Sequence, residues 1–254
     1  MSQAQALVIV ADELKLFLRP GHRHAPVPVA LDGTSSLGHV VESLGVPLTE
    51  VGPLQVNGEL TDPGYRPADG DLVSITAVPR PQPLPSARFV LDVHLGTLAR
   101  RLRLVGVDTA YANDADDDAL IEQANAEQRM LLSQDRGLLR RHKLRLGAYV
   151  RGARPDDQFR DVLERFAPPL APRTRCPACN GPLAAVPKAA VDPVLRPGTR
   201  RSYHAFARCG ICGQVYWHGA HSKRLEAIIA SAACAVTAAA GTEAVSRCAA
   251  RSRP

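Results

Sequence analysis

The chain has no apolar run of the roughly 18–20 residues that a membrane-spanning helix needs. Its start also lacks the basic-then-apolar order of a secretory signal, because Asp12 and Glu13 fall in the first turns. Membrane and secreted readings are therefore poor, and a cytoplasmic location is expected. Cysteine is too scarce for a disulfide scaffold, with 6 in 254 residues. Aromatics are sparse at 5 Phe, 5 Tyr and 1 Trp, yet 45% apolar and 22% charged residues are ordinary globular values and allow a real core. A length of 254 residues is too great for one small domain and points to two or three modules.

Lysine is nearly missing. Only Lys15, Lys143, Lys188 and Lys223 stand among 31 Lys and Arg, so the positive charge is almost all guanidinium. Its distribution is uneven. Residues 1–80 hold five bases (Lys15, Arg19, Arg23, Arg66, Arg80) against nine acids, while the chain as a whole is +6, so residues 81–254 are strongly basic. Arg forks bind phosphate bidentately, and a basic half-chain fits a polyanionic partner. A bias toward Arg and Ala codons would produce the same composition.

Two proline-rich stretches divide the chain. VPRPQPLPSA (78–87) has four prolines in ten residues, and FAPPLAPR (166–173) precedes the first Cys pair; both read as linkers. The expected modules are 1–80, 87–166, 173–224 and an Ala-rich tail at 225–254 that is helical to about Ala240. In the first module, apolar runs at 7–10, 14–18 and 27–31 predict short strands. SSLGHVVESLG predicts a helix capped by Ser35 or Ser36 and stopped at Gly45, and Asn57-Gly58 predicts a hairpin turn. The β-β-α-β-β order is that of a β-grasp. VNGEL followed by ADGDLVSI resembles the ubiquitin-like sulfur carriers, which end in a Gly-Gly tail. Here Val78-Pro79-Arg80-Pro81 follows with no Gly pair, so the module reads as a docking element for a protein partner.

The second module alternates. RFVLDV, VDTAYA, RMLLSQD and AYVRG predict strands; LGTLARRLRLVG, DDALIEQANAEQ, RGLLRRHKL and PDDQFRDVLERF predict helices. That is an α/β order with a parallel sheet. In such sheets ligands bind beyond the carboxyl ends of the strands. Asp92 ends the first strand, Asp135 follows the third, and Asp114, Asp116, Asp117 and Asp118 crowd the start of the second helix. Clustered carboxylates repel unless a cation neutralises them, and hard oxygen ligands suit Mg²⁺ or Mn²⁺. Asp at a helix start is also an ordinary N-cap, which would account for Asp114 to Asp118, for Asp135 and for Asp156 with Asp157. Asp92, directly after Phe-Val-Leu, is the acid that capping explains least.

Cys176-Pro-Ala-Cys179 and Cys209-Gly-Ile-Cys212 lie 29 residues apart and form two knuckles that suit a structural Zn²⁺. Cys234 and Cys248 have no partner pattern. Trp217, His218 and His221 are open to two readings, stacking on RNA bases or, for Tyr216 and Trp217, forming the small ribbon core.

FVLDVHLGTLARRLRLVGVDTAY, then DDDALIEQANAEQRMLLSQDRGLL, then a cysteine ribbon ending in VYWHGAH, resemble the Mut-seven C-terminal RNase family of PIN-like nucleases over residues 88 to about 224. The resemblance implies a metal-dependent RNase with a zinc ribbon, often behind a ubiquitin-like domain. By position it implies Asp92 as the first-strand acid, Asp116 or Asp117 as the helix acid and Asp135 as the third, with Asp92, Asp117 and Asp135 holding Mg²⁺ or Mn²⁺. Ser133-Gln134-Asp135 stands here for the family's Thr-Arg-Asp, keeping the hydroxyl and losing a base. Arg100, Arg101, Arg136, Arg140 and Arg141 are candidate RNA contacts, or else a solvated helix face. The expected function is a Mg²⁺- or Mn²⁺-dependent ribonuclease. The alternative is a non-catalytic RNA- or ribosome-binding adaptor using the basic helices, the ribbon and the docking domain.

Overall fold

A computed structural model describes residues 3–217, 219 and 222–241. His218, His221 and Cys248 lie outside the described residues. By compactness the chain forms two units: Met1–Pro79 with Ser133–Tyr149, and Arg80–Leu132 with Val150–Pro254.

In the first unit, β1 (Gln5–Val10) alternates, with Ala6, Val8 and Val10 turned inward. The strand expected at 14–18 is instead part of a 3₁₀ turn, Asp12–Phe17. The reason is the spacing: Leu14 and Phe17 both enter the core three residues apart, which a strand would send to opposite faces. The Lys15–Asp12 ion pair (2.6 Å) spans that turn. After β2 (Val27–Ala30), α1 (Leu37–Ser43) is capped by the Ser36 hydroxyl, which accepts from the His39 N–H at 3.3 Å. β3 (Val51–Val56) and β4 (Glu59–Thr61) are joined through Asn57 (φ 54°) and Gly58 (φ 89°), the positive-φ pair that a tight hairpin requires. β5 (Leu72–Ala77) closes the sheet in the order β2-β1-β5-β3-β4, with β1 and β5 parallel. This is the expected β-grasp. Its core gathers Leu14, Phe17, Leu37, Val41, Val46, Val73 and Ile75.

The following chain alternates as its periodicity predicts: β6 (Arg88–Leu91), α2 (Gly96–Leu104), β7 (Asp108–Tyr111), α3 (Asp117–Ala126), β8 (Met130–Ser133), α4 (Arg136–Leu139), β9 (Gly147–Tyr149) and α5 (Pro155–Phe166). β6 runs between β7 and β8 and is parallel to both. α4 is shorter than the expected helix over 136–144. Beyond Leu139 come Arg140, Arg141, His142 and Lys143, which offer no apolar face to bury, so no packing sustains further turns. Gly106, after α2, has φ 86°, and a Cβ there would lie 1.9 Å from the Ala171 carbonyl oxygen; the close approach admits only glycine.

Residues 133–149 belong compactly with the β-grasp strands. Arg136 donates to the carbonyls of Leu16 (3.0 Å) and Phe17 (2.9 Å), with its guanidinium 5.0 Å from the Phe17 ring centre. Phe17 meets Tyr149 edge-on at 5.1 Å, and the Tyr149 N–H donates to Glu50, which is buried, at 2.7 Å.

The second unit continues with β10 (Leu183–Val186), α6 (Pro197–Ser202), β11 (Phe206–Cys209) and β12 (Val215–Trp217), an antiparallel sheet in that order. Its own core is small: Val191, Leu195 and Phe206. α7 (Ser222–Ala239) is the helix that the propensity of the Ala-rich tail predicts, and it packs on α5. No described helix is long and apolar enough to cross a membrane.

Candidate functional site

Each expected acid occupies a strand end or helix start. Asp92 follows the central strand β6, is 8% exposed, and donates its N–H to the Leu132 carbonyl at 3.0 Å. It precedes a 3₁₀ turn, Val93–Leu95, without capping it through its side chain. Tyr111 closes over this turn by donating to the Val93 carbonyl at 2.8 Å, and a Cβ on Gly96 would lie 2.6 Å from the Tyr111 hydroxyl oxygen. Asp116 and Asp135 do cap. Asp116 accepts from the Ala119 N–H (2.8 Å), and Asp135 accepts from those of Gly137 (2.6 Å) and Leu138 (3.4 Å), in each case through Oδ1. The Ser133 hydroxyl accepts from the Asp135 N–H at 2.8 Å. Asp117 lies exposed in the first turn of α3. Asp156 and Asp157, in the first turn of α5, pair with Arg101 and Arg154.

The five candidate arginines have different employments. Arg100 is exposed. Arg101 is held by Asp156 at 2.6 Å. Arg136 is committed to Leu16 and Phe17, and Arg140 donates to the Glu42 carbonyl at 3.2 Å. Arg141 is exposed.

The two cysteine knuckles converge. The Sγ atoms of Cys176, Cys179, Cys209 and Cys212 lie within 4.8 Å of one another, a set that could hold Zn²⁺. Among the described residues this is the one set of three or more Cys, His, Asp or Glu that meets at metal-binding distance; the carboxylates form none. The thiols influence one another strongly. Burial raises Cys209, but the Cys212 and Ile211 N–H groups outweigh it and hold the thiol at about 6. Burial pushes Cys179 up to about 12, and its sulfur neighbours reinforce the rise. Four sulfurs so close ionise together only beside a cation.

Around the first knuckle stand residues whose roles here the sequence did not give. Arg103, 3% exposed, donates to the carbonyls of Thr109 (2.8 Å), Pro177 (3.2 Å) and Ala178 (2.8 Å). Asn180 accepts from the Thr109 N–H (3.0 Å) and donates to Asp108 (2.8 Å). Asp108 also pairs with Arg129 (2.6 Å) and Arg175 (3.0 Å). Burial opposes its charge, yet the Arg129 and Asn180 hydrogen bonds hold its pKa below the usual range. The Tyr216 hydroxyl lies 3.0 Å from Cys176 Sγ. The only sequence signal was charge at strand starts, in Asp108 before Thr-Ala-Tyr and Arg129 before Met-Leu-Leu.

Residues 87–229 match the Mut7-C RNAse domain, and residues 3–84 match the Mut7-C ubiquitin domain. The first match alone spans more than half the chain. The chain belongs to the Mut7-C RNAse family. No curated protein and no solved structure matches it. Family membership agrees with the observed architecture: a ubiquitin-like β-grasp, a parallel α/β sheet and a four-cysteine ribbon, in that order along the chain.

Proposed function

We propose that this Mut7-C family member is a ribonuclease that hydrolyses RNA phosphodiester bonds, with Asp92 as its central acid and a structural Zn²⁺ on Cys176, Cys179, Cys209 and Cys212. The observation that supports this most is the state of Asp92, an acid 8% exposed at the carboxyl end of the central strand and not used as a side-chain cap. In parallel sheets of this kind ligands bind beyond that end of the strands, which is where Asp92 stands.

The described acids form no three-carboxylate cage, so no preformed catalytic metal site is inferred from them. Mg²⁺ and Mn²⁺ remain the cations that the donor chemistry favours, because Mg²⁺ needs only one or two carboxylates and completes its shell with water and substrate phosphate. When bound, such an ion activates water and stabilises the leaving oxygen. Asp92 is its primary ligand in this reading. Asp117 and Asp116 stand at the start of α3, Asp116 capping through Oδ1, and Asp135, which also caps through Oδ1, is a candidate from its place in the family pattern alone. The Ser133 hydroxyl fixes the backbone at Asp135.

The test is Asp92→Asn. Cleavage of a labelled single-stranded RNA should fall by about 10²–10⁴-fold, with melting temperature and RNA affinity nearly unchanged. EDTA should stop the wild-type reaction, and Mg²⁺ or Mn²⁺ should restore it. Undiminished cleavage by the variant, with contaminating RNase excluded, overturns the reading. The capping by Asp116 and Asp135 favours one competitor, a non-catalytic RNA-binding adaptor, which predicts salt-dependent binding without EDTA-sensitive cleavage.

A further inference from the structure

We propose that the ribbon's sheet face bearing Trp217 and Arg208, together with the adjoining α6 arginines, binds single-stranded RNA, a base stacking on Trp217 while the arginines take the phosphates. This rests on RNA being the substrate.

Charge is the first observation. Residues 173–224 hold nine of the chain's 31 Lys and Arg but only one of its 25 acids, Asp192, so the rest of the chain is slightly acidic. Arg200 is occupied by that acid, through its carboxylate (3.3 Å) and its carbonyl (2.5 Å). Arg196, Arg201 and Arg208 are exposed and have no carboxylate partner among the described residues. This contrasts with Arg101, Arg136 and Arg140, which are spent on internal contacts.

The second observation is aromatic. Trp217 is the chain's only tryptophan and stays 40% exposed. The pairings Phe206↔Trp217 and Arg208↔Val215, with the two-residue alternation of strands, put Phe206, Arg208, Val215 and Trp217 on one sheet face. Phe206 is buried, while Arg208 and Trp217 remain open. Diagonal neighbours of this kind lie about 7–8 Å apart, a spacing suited to one nucleotide's base and phosphate. Tyr203, at the end of α6, and Phe206 each lie 6.5 Å from the Trp217 ring, tilted against it, and hold its position. A fixed indole rimmed by guanidinium groups is the chemistry that grips unpaired bases. Duplex RNA offers no free base face, and an acidic protein would pair with the arginines without needing a base-like ring to stack on the indole.

The single tryptophan supplies the measurement. The full zinc-loaded chain is titrated with a fluorescein-labelled 12-mer oligouridylate, following tryptophan emission and, separately, anisotropy. Saturable quenching should track the anisotropy. Trp217→Ala should weaken binding by about 5- to 100-fold, with zinc content and circular dichroism unchanged. Arg201→Ala with Arg208→Ala should lower the slope of log affinity against log salt by about 1.4. Binding without quenching, or unchanged affinity in Trp217→Ala, overturns the inference. So does equal binding of polyglutamate, or no binding of the oligomer at all. The outcomes separate the two proposals. Cleavage with an unchanged KM in Trp217→Ala removes this inference alone. Quenching with no cleavage under any metal removes the ribonuclease reading alone.

Discussion

Arg103 shows how one side chain can tie a cysteine knuckle to a sheet. It stands one turn after buried Ala99 on α2, is 3% exposed, and its three hydrogen bonds all end on backbone carbonyls. Two of those carbonyls, Pro177 and Ala178, lie between the paired cysteines, so the guanidinium both shapes the knuckle and places positive charge beside its thiolates. Four thiolates around Zn²⁺ carry net negative charge, and an outer partner of this kind tunes metal affinity. Arg103→Ala should weaken zinc binding by about 10- to 100-fold, measured by competition with a chromophoric chelator. Arg103→Lys should fall between, because an ammonium cannot make the planar fork. Unchanged zinc affinity in Arg103→Ala would show that the knuckle holds its shape unaided. The role of Arg103 was not legible in the sequence, since it depends on a knuckle more than 70 residues away coming to rest on α2. The position of Asp92, buried directly after β6, was legible, because an ionised residue closing an apolar strand is anomalous in any register. Asp116 and Asp135 were legible only as two alternatives, cap or ligand, and the structure gives the cap to each through one oxygen.

Among the elements, hydrophobic period was a sound guide wherever a long face had to be buried. It located α2, α3 and α5, the last with Pro155 at its first position. It failed where the apolar run was short. Leu14 to Leu18 could be read with period two or three, and only the joint burial of Leu14 and Phe17 decides for a turn. At α4 the apolar residues end at Leu139, and the helix ends with them. The ribbon sits at the other extreme, since its sheet has little apolar support. With Val191, Leu195 and Phe206 as its buried core, the ribbon would draw most of its stability from a metal held on the four cysteines. Chelation of zinc should therefore collapse amide protection across β10, β11 and β12 while leaving β1 and β5 protected, as read by hydrogen exchange. Retained protection in β11 after complete zinc removal would mean that the small core and the Arg103 contacts suffice.

For the whole molecule, compactness and family boundaries do not coincide. Residues 133–149 fall inside the RNAse match, yet they are compact with the β-grasp strands through Arg136, Tyr149 and Glu50. A docking domain on a free tether would not use Phe17 and Glu50 in this way, so the first unit has to be judged by its own stability. Asp71 offers a handle on it. The residue is 7% exposed, yet it accepts from the Ala68 N–H (2.8 Å), the Asn57 amide (2.8 Å) and the Tyr65 hydroxyl (3.0 Å). Burial raises its pKa, but the three donors win and hold it below the ordinary Asp value. A depressed carboxyl stabilises the fold above the unfolded-state value of about 4, and that contribution disappears as pH falls through the folded value. Asp71→Asn replaces an acceptor oxygen with a donor facing donors, so it should destabilise the first unit by about 1–3 kcal/mol at pH 7. As pH falls through the folded value the wild-type residue is itself protonated, and the difference between the two proteins should shrink. Urea melts of both proteins at pH 7, 4 and 2.5, followed by amide exchange in β1 and β5, supply the comparison. A gap that stays constant down to pH 2.5 would show that the loss comes from packing around Asn57 and Tyr65 and not from the charge on Asp71.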